Sequence, residues 1–325
     1  MRETEYVYAV ARVRVNELGL LTPSDFEQLI QSKSYEDAAS LLAQKGWPFT
    51  KDQNDYLTVI EAERKKTWSL LSEIAPDLRE LDALIISNDF QNLKAAIKSF
   101  FTKEDISGLM AEPTVYPAEE VLEAVKLKEF DKLPHLLRDP AVLAYEAVVK
   151  LESGRLADMA LDKATLNAAI KLAQEVGSEA LTEIAMLNGA VANVNIAYRS
   201  AAIGKGADFM LNAMCETDLV DNEELISAAL EDRQKLVSYV SGALGEKAGS
   251  SLEEGLTAFE KWHDERLLEL VEKAKYTAFG LAPICAYFIV REIELKNVRI
   301  ILQAKQNGFS QDIIRQRVRL SNVNI

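Results

Sequence analysis

Histidine and cysteine are nearly absent from this chain, with two of each among 325 residues. Two cysteines, Cys215 and Cys285, cannot build a disulfide framework. Two histidines, His135 and His263, leave little from which to assemble a metal centre or a general base. Proline and glycine are scarce at 8 and 14 residues, and alternating β-branched runs are missing, so almost no sheet is expected. Uncharged stretches are short: the longest, 184–198 and 276–290, hold fifteen residues each and include Asn, Gly or Pro. Neither is long or apolar enough to span a bilayer. Lysine and arginine number 37 against 51 acids, giving a net charge of -14. Such a surface disfavours nucleic acid, which needs clustered positive charge. The start, Met1-Arg-Glu-Thr-Glu, lacks a signal peptide's apolar run, and together with the few cysteines this predicts a reducing, intracellular setting.

What is present favours helix. The chain is 48% hydrophobic and rich in Ala, Leu, Glu and Lys, and its length suffices for two or three domains. The most marked stretch runs from Pro283 to Gly308, with proline at its start and glycine just past its end, as in a single long helix. Ile284, Phe288, Leu295, Val298 and Leu302 form one apolar stripe, and Ile289, Ile293, Ile300 and Ala304 a second beside it. Apolar surface over more than half the circumference predicts burial from two sides. One amide, Asn297, sits within the second stripe, and the spacing of Glu292 and Lys296 predicts an i,i+4 ion pair. From Arg291 to Arg319 seven basic residues face three acids, so this end is a basic region on an acidic body.

The element order repeats. Thr22-Pro23-Ser24-Asp25 carries the marks of a helix start, Tyr116-Pro117-Ala118-Glu119 resembles it, and Asp221-Asn222-Glu223-Glu224 opens a third copy. Long helices are expected over 56–75 and 78–101, 140–176 and 178–203, and 251–275 and 283–306. Asn92, Asn195 and Asn297 each stand in the last long helix of a copy, 103 and 102 residues apart. A period near one hundred is too long for a solenoid unit. It predicts three similar all-α domains, 1–115, 116–218 and 219–325, packed around a pseudo-threefold axis. The three asparagines read as amides that fix helix register rather than as the lining of a site.

No motif carries catalysis. Glu260 and His263 have the Glu-x-x-His spacing of a helical metal site, but His135 supplies no second copy. Asp218 and Asp221 precede a helix start, where acids serve as caps. Gly204-Lys-Gly206 is not a phosphate loop, because it follows a helix and not a strand. No metal, cofactor or catalytic group is expected. A helical adaptor taking an amphipathic partner helix in a groove stays open as an alternative.

Tyr6-Val-Tyr-Ala-Val-Ala-Arg-Val-Arg-Val15, Leu20-Leu-Thr-Pro-Ser-Asp-Phe26 and Arg291-Glu-Ile-Glu-Leu-Lys-Asn-Val-Arg-Ile300 together resemble the C-subunit family of V/A-type ATPases, whose eukaryotic members are called the d subunit. The resemblance covers the whole chain. It implies a funnel-shaped, non-catalytic protein of three helical domains whose central cavity receives the central stalk. It also implies a seat on the cytoplasmic face of the membrane proteolipid ring, as part of a rotor. Arg291 and Arg299 become the candidate partner contacts. Copy two departs from the family's pattern, with Ala192 where the other copies have Asp89 and Glu294 three residues before the asparagine.

Overall fold

A computed structural model describes residues 5–50, 55–103, 106 and 110–318, except for the side chain of Lys275. Among the described residues it contains sixteen α-helices and no strand. In chain order they are α1 (Val7–Glu17), α2 (Pro23–Gln31), α3 (Tyr35–Gln44), α4 (Tyr56–Ile74), α5 (Asp82–Thr102), α6 (Ala118–Leu127), α7 (His135–Leu151) and α8 (Gly154–Val176). They continue as α9 (Glu179–Ala202), α10 (Ala207–Ala213), α11 (Asn222–Glu231), α12 (Arg233–Leu244), α13 (Glu246–Glu254), α14 (Leu256–Lys275), α15 (Ala282–Gln306) and α16 (Gln311–Arg317).

The caps explain most of the boundaries. Thr22 and Asp25 form a reciprocal capping box with Pro23 in the first turn of α2, and Asp221 accepts the Glu224 N–H at 2.9 Å at the start of α11. Two boundaries differ from the expected ones. The helix expected over 140–176 is two: α7 starts at His135 and carries Pro140 inside it, and the break follows at Glu152, where φ is +49°. Ser153 then caps α8 by accepting the Leu156 N–H. Pro140 removes one backbone hydrogen bond without ending α7. Likewise α14 starts at Leu256, just after Gly255 at φ +131°, a conformation that no ordinary helix residue adopts.

The chain forms two compact units. One joins both ends of the sequence, residues 1–78 and 257–325, and the other comprises 79–256. In the first, α15 is the axis: α1, α2, α3, α4 and α16 all pack on it. Its core combines Phe26, Leu29, Ile30, Leu42 and Val59 from the front of the chain with Leu295, Val298, Ile301 and Leu302 from the back. Both apolar stripes of α15 are buried along most of their length, which is why it needs neighbours on more than one side. In the second unit α5 packs against α6, α7 and α8, and α9 against α8, α10 and α11. Phe90, Leu93, Ile97, Val121, Val125, Leu137 and Leu161 make up the core around α5.

Each long helix therefore packs against the short helices that follow it: α5 with α6, α9 with α11, and α15 with α2 and α3 at the opposite end of the sequence. The sequence copies place the long helix last, whereas packing places it beside the start of the next copy. No described helix is long and apolar enough to cross a membrane.

Candidate functional site

The recurring polar feature lies where a long helix meets the entry to a short one. Backbone N–H groups at a helix entry have no partner within their own helix and must find one elsewhere. Around α5 the Asp89 carboxylate accepts from Val115 N–H and Tyr116 N–H, both at 2.9 Å. α6 has no side-chain cap of its own, because its N-cap residue is Pro117, which lacks the polar chain that Thr22 and Asp221 bring to theirs; the acceptor for the amides just before it comes from α5. One turn on, Asn92 donates to Ala111 O at 3.0 Å and accepts Ala111 N–H at 2.7 Å.

Around α9 an amide repeats this bidentate grip. Asn193 donates to Cys215 O at 2.9 Å and accepts Cys215 N–H at 3.0 Å. It also donates to Asn222 Oδ1 at 2.8 Å, and Asn222 donates in turn to Cys215 O. The Cys215 side chain lies close against the α9 backbone here: a Cβ on Gly189 would lie 2.9 Å from Cys215 Sγ. Asn195, expected to be the middle member of the asparagine series, takes no part in this grip. Its Oδ1 is buried without a hydrogen-bond partner. Two helical residues rotate a side chain by about 200°, so positions 193 and 195 face different ways.

Around α15 the acceptor is Glu294, which takes the Leu21 N–H at 2.6 Å. Leu21 stands before Thr22-Pro23 as Val115 stands before Tyr116-Pro117, and Glu294 precedes Asn297 by three residues as Asp89 precedes Asn92. Here the buried acid is compensated. Arg291 pairs with Glu294 and, at 2.7 Å, with Glu63 of α4. Its Nε donates to Thr67 Oγ1 at 3.2 Å, and the guanidinium lies 5.8 Å from the Trp47 ring centre. Arg291, Glu63 and Glu294 are 6%, 4% and 4% exposed. Burial pushes the Glu294 carboxyl above its ordinary range, and Arg291 opposes that shift. Asn297 is 2% exposed and belongs to the same interior.

Arg291, expected as a partner contact, is therefore an interior cation. The rest of the basic region is also largely engaged. Lys296 pairs with Asp264 at 2.6 Å, and Glu292 pairs with Arg64 at 3.0 Å, so the expected Glu292–Lys296 pair does not form. Lys305 donates to Ile30 O and Ser32 O at the end of α2. Arg315 pairs with Glu27, Arg317 lies over the Phe309 ring, and Arg319 is outside the described residues. Arg299 is exposed on α15.

A cavity of about 130 Å³ is lined by Lys45, Trp47, Glu63, Lys66, Thr67, Tyr287 and Arg291, among others. Its cations already have acids: Lys45 with Asp25, Lys66 with Glu63, and Arg291 with Glu63 and Glu294. An anionic ligand would have to compete with those carboxylates. Among the described residues, no group of three or more His, Cys, Asp or Glu side chains could hold a metal ion. His263 lies beside Asp264 and Lys296, and burial lowers its imidazole to about 4, so it is neutral at pH 7. Asp221 serves as a cap.

These interior groups define an all-helical protein whose buried polar chemistry ties one helix to the next. Residues 9–317 match the family model described as ATP synthase (C/AC39) subunit, and the chain belongs to that family. It is 24% identical to the C subunit of the V-type sodium ATPase of Enterococcus hirae, with 94% of this chain and 96% of that one covered. Identity is also 24% to the C subunit of the A-type ATP synthase of Methanothermobacter thermautotrophicus, covering 96% and 87%, and to that of Thermococcus kodakarensis, covering 97% and 90%.

Two substitutions separate these roles. Arg291→Met leaves the buried Glu294 carboxylate without a cation and Glu63 with Lys66 alone, and should lower unfolding free energy by about 3–5 kcal/mol; adding Glu63→Gln and Glu294→Gln should recover part of it in urea titrations. Asn193→Ala removes a reciprocal buried pair and should cost about 1–3 kcal/mol, whereas Asn195→Ala, which removes an unpaired buried oxygen, should cost clearly less in the same titration.

Proposed function

We propose that this chain is a non-catalytic rotor subunit of a V/A-type ATPase. It acts as a socket that joins the central stalk to the membrane proteolipid ring and carries torque between ATP hydrolysis or synthesis and ion translocation. The observation that carries this reading is the family match over 9–317, together with full-length similarity to proteins named as the C subunits of such ATPases. Its architecture, on this reading, is three helical domains, 1–115, 116–218 and 219–325, around a pseudo-threefold axis with a central cavity. The recurrence of a long helix holding the segment that leads to a short helix, α5 before α6, α9 before α11 and α15 before α2, supports that repetition.

A torque-bearing adapter needs stiffness and wide contact rather than a reactive group. Close-packed helices locked by buried polar grips supply stiffness, because packed interiors deform little. The protein would sit peripherally on the cytoplasmic face, held there through the ATPase complex, with distributed polar contacts favouring assembly that can be reversed. Arg299 is the candidate contact that the fold leaves on the surface.

Used as bait on solubilised membranes, the chain should capture stalk and proteolipid-ring components of one ATPase. A soluble complex without them would support a helical adaptor instead. Cells lacking the chain should retain ATP hydrolysis in the soluble sector and lose coupled ion pumping; pumping that survives deletion would sink the socket reading. Arg299→Glu should reduce recovery of the assembled complex severalfold while leaving the melting curve of the isolated chain unchanged.

A further inference from the structure

Four aromatic rings of the second unit gather at one place outside the grips. Phe100 and Phe101 stand in the last turn of α5, Phe130 in the link between α6 and α7, and Tyr145 on α7. The Tyr145 ring centre lies 5.5 Å from Phe100, 5.8 Å from Phe101 and 5.1 Å from Phe130. Phe100 and Phe101 meet edge to face at 5.2 Å. Phe101 is 39% exposed and the other three rings are half-buried, so the cluster opens to solvent.

A cation sits in the opening. Lys128, just past the end of α6, holds its ammonium 5.0 Å from the Phe100 ring centre and 5.7 Å from that of Tyr145. Both distances lie within reach of the attraction between a cation and the negative face of a ring. The chain has 51 acids to 37 bases, yet the adjacent Glu129 pairs with Lys132 instead. Among the described residues the Lys128 ammonium has no ion pair or hydrogen bond. Rings alone hold its charge.

We propose that Phe100 and Tyr145, flanked by Phe101 and Phe130, form a cation cage that takes a trimethylalkylammonium group, with Lys128 as its tethered and displaceable occupant. Ring faces offer no lone pairs, so the three N–H groups of a lysine ammonium must keep their water. That hydration holds Lys128, an exposed residue, at the mouth. A quaternary ammonium has no N–H to satisfy, loses less on leaving water, and brings methyl groups to the rings with the same charge. It is the better guest. An exposed contact of one ammonium with the rings amounts to a factor of about two to five, so Lys128 weakens an external ligand without excluding it.

Titration of the full chain with choline, followed through the ring protons of labelled Phe and Tyr, tests the cage. Choline should shift the Phe100 and Tyr145 signals and saturate with a Kd on the order of 1–10 mM. Its neutral tert-butyl analogue keeps the shape without the charge and should bind at least about fivefold more weakly. Lys128→Ala should tighten choline about two- to fivefold. Tyr145→Phe should leave binding within about twofold, since the ring face and not the hydroxyl holds the cation, and Tyr145→Leu should abolish it. Phosphocholine and Nε-trimethyllysine distinguish the source: tighter binding of the first supports a cage for a lipid headgroup, and of the second a cage for a methylated side chain. Rejection of both would overturn the cage as a ligand site. Equal affinity for choline and its neutral analogue would overturn it as well, as would a Lys128→Ala protein that binds choline no better than the wild type. If Tyr145→Leu does not fold, the contrast between choline and its analogue on the wild-type chain decides the matter.

Discussion

A backbone N–H buried at a helix entry needs an acceptor, and an unmet one costs about as much as a lost hydrogen bond. That constraint organises the interior of this protein. The segments leading to short helices lie against long ones, and the long helix supplies the acceptor: Asp89 for Val115 and Tyr116, Asn193 for Cys215, Glu294 for Leu21. Each acceptor lies many residues from the amide it holds. These grips thus fix tertiary position rather than local conformation, and they decide which loop lies against which helix.

The Glu294 grip has a particular consequence because its partner is at the other end of the chain. Leu21 and Glu294 are joined in a core that also merges Phe26, Ile30 and Leu42 with Val298 and Leu302. Closure between ends so far apart in sequence carries a large entropy cost, which grows slowly with loop length, and a charge buried there must be compensated as well as hydrogen-bonded. Arg291 meets both demands, bridging Glu63 of α4 and Glu294 of its own helix while packing on Trp47. In this geometry it belongs to the assembly of the unit and has no surface from which to meet another protein.

Much of this was legible in residue patterns. The double stripe of α15 requires neighbours on several sides and has them, and Thr22-Pro23-Ser24-Asp25 forms the capping box that its residues describe. Less legible was the identity of buried polar partners. The interval between Asn92 and Asn297 pointed to Asn195, but the residue gripping a loop is Asn193, because an interval good to two residues spans more than half a helical turn. Arg291 read as surface charge because it stands in a basic region. The signal against that reading lay one turn to either side: Phe288 and Leu295 place position 291 within an apolar face, and Glu294 stands three residues on. Pairing that acid with Glu63, more than two hundred residues away, takes the fold itself.

Similar modules need not behave alike, and the charge on each grip shows why. The amide at α9, Asn193, repeats the grip of Asn92 on Ala111, whereas at α5 and α15 an acid also holds the approach to a short helix and only at α15 does an arginine offset it. At α5 the acid has no cation, and the neutral amide of Asn92 holds the same approach to α6 one turn on. Stiffness in a helical protein is set by its weakest joint, not by the mean of its packing. At α5 a carboxylate and an amide share one joint, and both act from within a core that joins Phe90 and Leu93 of the long helix to Val121, Leu137 and Leu161 of its neighbours.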